Sequence, residues 1–156
     1  MSLFAIIVAA TFLVVAFAAA RGDAPEKLCA AIIAAEALID LVLQFTIGPR
    51  SFVEFDLSRL LLDLFAASAL IAVAMRANRL YPLAIAAAQL VAVIGSISAF
   101  VARDGWSQAF WAMTQLPVVL QLALLLGGTL MHRYRLSRVG PYNSWSPPQP
   151  RHVQPG

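Results

Sequence analysis

The chain has 156 residues, of which 61% are hydrophobic and 12% charged, with a formal net charge of +3 and a mean hydropathy of +0.80. Soluble domains are about 45–50% apolar and about 25% charged, so this balance excludes most soluble folds and points to an all-α, polytopic membrane helix bundle. The basic excess reads as a topology signal rather than a nucleic-acid footprint, and the single cysteine, Cys29, leaves no disulfide, CxxC or Cys/His motif to consider.

Residues 3–20 form an uncharged run long enough to cross hydrocarbon. The run ends in alanines before Arg21, in the manner of a signal-peptide cleavage site, but the Met-Ser-Leu-Phe start lacks the positive n-region of such peptides, so the run is read as a retained span. Arg21, Gly22, Asp23, Pro25, Glu26 and Lys27 make a charged turn. A second span over 28–48 stops at Gly48-Pro49. Residues 51–59 mix aromatic and charged side chains and suit a short interfacial helix or the first turns of a third span over 57–75. A fourth span covers 83–102 after Tyr81 and Pro82, and a fifth covers 107–132 with a kink expected at Pro117. Beyond Arg138, residues 139–156 carry five prolines and almost no aliphatics, which predicts a disordered, Pro-rich cytoplasmic tail, with Tyr142 and Trp145 available to touch headgroups or a docking partner.

Positive charge orients these five transmembrane helices. With five spans one side holds Arg21, Lys27, Arg76, Arg79, Arg133, Arg135, Arg138 and Arg151, and the other holds Arg50, Arg59 and Arg103. This asymmetry places the N-terminus outside and the C-terminus in the cytoplasm.

Charged groups inside hydrocarbon cost about 2.5–3.5 kcal/mol each on insertion scales and normally face a bundle interior. Three are expected there: Glu36 and Asp40, four apart on the second helix with Gln44 extending the same face, and Asp63 on the third. Counting about 1.5 Å per residue puts Asp40 and Asp63 at similar outer-half depths with Ser96 and Gln115, and Glu36, Gln89 and Gln121 in a second, deeper layer. Such groups can form a path for protons or cations, or they can be interhelical glue, with Asp63 paired to Arg59 one turn earlier and Glu36 and Asp40 bonded to glutamines. Ala84, Ala88, Ala92 and Ser96 recur every fourth residue on helix four, and Gly95 adds to this small face, so another helix can approach closely.

No nucleophile elbow, P-loop or His-Glu-x-x-His is present, so no catalytic residue, cofactor or metal site is expected. His132, next to Arg133, is expected to meet headgroups at a helix end. The segment Arg76-Ala-Asn-Arg-Leu-Tyr-Pro-Leu, followed by Gln89-Leu90 and preceded by a helix that opens Arg59-x-x-x-Asp63, resembles small uncharacterised inner-membrane proteins of alphaproteobacteria over roughly helices three to five. The resemblance implies compartment and topology and carries over no functional residue. The leading functional expectation is an accessory or scaffold protein packing with itself or with a larger membrane complex. The runner-up is a small proton- or cation-coupled channel or transporter using Glu36, Asp40 and Asp63, and a membrane-embedded enzyme comes third. The expected partners are the lipid bilayer and a membrane protein or second copy, and nucleic acid is not expected.

Overall fold

The computed structural model describes residues 3–46, 48, 57–77, 79–101, 107–140 and 145. Long runs without charge leave the backbone no water to bond, and an α-helix satisfies every amide within the segment. Five helices result: α1 (Leu3–Arg21), α2 (Ala24–Thr46), α3 (Leu57–Arg76), α4 (Tyr81–Val101) and α5 (Ser107–Val139). Each packs against its neighbours in sequence, α1 closes the ring against α5, and α2 touches α5 across the middle. One end of the bundle carries the starts of α1, α3 and α5; the other, here the tail end, carries the starts of α2 and α4 and the end of α5.

Four helices are long and apolar enough to cross a membrane, and α1 supplies a shorter apolar stretch, Ala5–Arg21. The side-chain distribution agrees with a lipid solvent. Phe45, Phe65, Met75 and Leu80 are more than three-quarters exposed, whereas Arg59, Asp63, Gln89 and Gln121 are buried. A water-soluble bundle would reverse that arrangement.

Local chemistry sets the helix ends. The backbone of Lys27 donates to the Asp23 carbonyl, and the Asp23 amide donates to Glu26 Oε2 at 3.2 Å, so Asp23 is the N-cap of α2 and Glu26 closes a capping box. Helix α2 therefore begins at Ala24, ahead of the apolar run that starts at Leu28. Pro82 is buried in the first turn of α4, where its missing amide costs nothing. Helix α5 continues through Pro117 for 33 residues, about 50 Å, well beyond the roughly 30 Å of a hydrocarbon core. Its last turns carry Arg133, Arg135 and Arg138, and it ends at Gly140, whose φ of 81° and amide bond to the Leu136 carbonyl make a left-handed cap.

The small face of α4 lies inward. Ala88, Ala92 and Gly95 are buried and Ala84 and Ser96 half-buried, with α4 lying between α3 and α5. Close approach recurs at Gly128 of α5, where a β-carbon would stand 2.8 Å from the Tyr81 ring. Residue Trp145 forms an antiparallel bridge with Ala77, after α3, so the tail read as unstructured has one paired position. The other tail residues, 141–144 and 146–156, the interfacial segment expected over 51–56 and the loop around Arg103 lie outside the described residues.

Candidate functional site: a polar cavity inside the bundle

Helix α2 presents Glu36 and Asp40 to the interior because its opposite face, with Leu38, Ile39, Val42 and Phe45, is exposed. Asp63 enters from α3, Gln89 from α4, Gln115 and Gln121 from α5 and Thr11 from α1, and all of them line one cavity of about 130 Å³. That volume holds several waters. Every helix contributes to the wall. Among the described lining residues three are acidic and none is basic.

The polar groups fall into two tiers. In the deeper tier Gln89 Nε2 donates to Glu36 Oε1 at 2.6 Å and Gln121 Nε2 donates to Gln89 Oε1, which links α2, α4 and α5 in one chain of bonds. In the other tier Ser96 Oγ donates to Asp63 Oδ2 at 2.7 Å, joining α4 to α3, and Arg59 Nε stands 3.1 Å from Asp40 Oδ1, joining α3 to α2. Arg59 also donates to the Gly48 carbonyl at 3.2 Å. Gln44 carries a buried side-chain oxygen with no hydrogen-bond partner among the described residues, but it is not part of the cavity wall.

The structure thus brings Glu36, Asp40, Asp63, Gln89 and Gln115 to one cavity and leaves Gln44 beside it. Arg59 corrects an expectation. Counted among charges outside the bundle, it is instead buried, and it forms an ion pair with Asp40 on the neighbouring helix. A long guanidinium in the first turn of α3 can reach a carboxylate across the helix interface, which spacing along a single helix does not reveal.

A third polar layer at the tail end went unrecognised in the sequence. Glu26 is fully buried and pairs with Arg79, whose Nη2 also lies 3.6 Å from Asp23 and 3.2 Å from His132 Nδ1. His132 is therefore buried against Arg79 rather than turned toward headgroups. The signal available beforehand was Asp23-Ala-Pro-Glu26, a capping pattern that holds the Glu26 side chain back over the helix start. Between this layer and the cavity lies an apolar band centred on Leu70, Ile85 and Leu125, all fully buried. No three His, Cys, Asp or Glu residues among those described are gathered to hold a metal ion. No family model, curated protein or solved structure matches this chain.

Proposed function

We propose that the protein is a five-span inner-membrane protein, N-terminus outside and C-terminus cytoplasmic, that takes up protons or a small monovalent cation in the carboxylate-lined cavity as a coupled channel or transporter. The observation that carries this reading is the convergence of Glu36, Asp40 and Asp63, from two helices, on one cavity, where the buried Arg59 offsets one of the three carboxyls by its pairing with Asp40. Carboxylates placed at the cost of burial in hydrocarbon mark ion and proton paths more often than chance placement would. The charge asymmetry of the loops supports the orientation.

The test is flux in liposomes. Protein carrying Glu36→Gln and Asp40→Asn should lose at least about tenfold of the cation or proton flux of the natural chain, a factor equivalent to about 1.4 kcal/mol. Unchanged flux would remove this reading.

One observation favours a second reading, an accessory or scaffold protein. The bonds from Glu36 through Gln89 to Gln121 tie three helices together as packing glue would. Native mass spectrometry separates the two, because a scaffold is recovered with a fixed partner or as a defined oligomer and its carboxylates are dispensable for transport.

A further inference from the structure

A second hollow lies between α1 and α5. It measures about 450 Å³, is lined by Ile6, Ala10 and Val14 of α1 and by Leu116, Val119, Ala123 and Leu126 of α5, among others, and has an almost wholly apolar wall. Leu116 and Val119 are at least half exposed on the outside of the bundle, so this groove opens toward lipid. It spans roughly 16 Å of α5, from Gln115 to Leu126. Two residues, Ile7 and Gln115, line both this groove and the polar cavity. They stand at one end of the groove, near the start of α1 and toward the start of α5.

A long apolar slot open to acyl chains, which shares the Ile7 and Gln115 wall with an acidic cavity at one end, matches a molecule with a chain at one end and a positive head at the other. We propose that the pair of hollows binds a single-chain amphiphile with an ammonium head, the chain lying between α1 and α5 and the head entering past Ile7 and Gln115 toward Glu36, Asp40 and Asp63. This rests on the reading of the cavity as a cation site and names the class of cation. Charge selects the head. Three carboxyl-bearing residues line the described wall against one buried guanidinium, Arg59, set against Asp40, so carboxyls outnumber cations, and an ammonium supplies three donors where oxygen acceptors predominate. A dedicated divalent ion fits less well, since no three His, Cys, Asp or Glu side chains among the described residues are gathered closely enough to hold one.

The probe is an alkylamine spin-labelled near its chain end, compared with the alkyl sulfonate and the alcohol of equal length by electron paramagnetic resonance on reconstituted protein. The amine should show a motionally restricted fraction corresponding to roughly tenfold tighter binding than the sulfonate. Ala123→Phe, which adds a ring to an exposed position in the groove, should remove that preference, and Val119→Phe provides a second groove block if the first variant loses its helical circular dichroism. Glu36→Gln with Asp40→Asn should reduce the amine to the level of the alcohol. Equal restriction of amine and sulfonate, or insensitivity to both groove blocks, would overturn the proposal. Methylammonium flux separates the two readings: if it needs Glu36 while the long amine shows no preference, the cavity reading stands and the amphiphile falls, and if neither probe responds to the carboxylate variants, both fall.

Discussion

At the scale of single residues, Glu26 and Arg79 depart furthest from what their neighbours in sequence suggest. Both come from turn-like segments, 21–27 and 76–80, where charge ordinarily meets water, yet Glu26 is fully buried and Arg79 bridges it to Asp23 and His132. Their partnership spans 53 positions, so the packing of α2 against α3 rather than local sequence brings it about. Removing one member of a buried ion pair leaves the other charge stranded. Glu26→Gln should lower stability by about 3 kcal/mol, the smaller end of the usual range because Asp23 still faces Arg79. Thermal unfolding in detergent reads this, and the double variant with Arg79→Leu should recover part of the loss. Two adjacent glycines give a sharper contrast. Gly128→Ala drives a methyl into the Tyr81 ring and should cost about 1–3 kcal/mol, whereas at Gly127 nothing lies within 4 Å and the same change should be neutral or stabilising. The sequence marks both simply as Gly-Gly, since the difference depends on which of them faces α4.

At the scale of elements, most of the helix positions can be read in the chain because the charged residues that end the spans are so few. Boundaries were less legible where a helix continues into polar sequence. Helix α2 starts at Ala24 because Asp23 and Glu26 cap it, and α5 runs to Val139 because its arginine-rich turns are as helical as its apolar ones. The polar stripe on α2 was legible from the spacing of Glu36 and Asp40, and so was the layer shared with Gln89, since both follow from helical rise. Which group bonds which was not, as Arg59 with Asp40 illustrates, because that depends on rotation of one helix against the next. The chain from Glu36 through Gln89 to Gln121 makes a prediction at this scale. Gln89→Leu removes the middle link and should cost about 1–2 kcal/mol, while adding Gln121→Leu should restore part of it, because the stranded amide is then gone as well. A double-mutant cycle by thermal unfolding measures both.

At the scale of the molecule, a ring in which α1 meets α5 needs all five helices to enclose the cavity, since each contributes wall residues. Topology reporters fused at the N-terminus and after residue 156 should therefore report opposite sides, and a reporter inserted in the loop at 103–106 should share the side of the N-terminus. Both ends on one side would mean that α1, the shortest apolar stretch, does not cross. The orientation itself was argued from arginines and lysines alone, and the fold adds a physical reason for counting Arg59 differently, because a guanidinium held inside the bundle no longer contributes to the loop charge.

The apolar band of Leu70, Ile85 and Leu125 has a bearing on kinetics. It separates the cavity from the buried ionic layer of Glu26 and Arg79 with a dry plug, and a bare charge does not pass side chains of that kind while they remain packed. Anything held in the cavity leaves toward the tail end only when those three side chains part. On the proposed transport reading, throughput should then be paced by helix rearrangement, on the microsecond-to-millisecond scale of such motions, as in a carrier that empties once per cycle rather than a pipe that stays open.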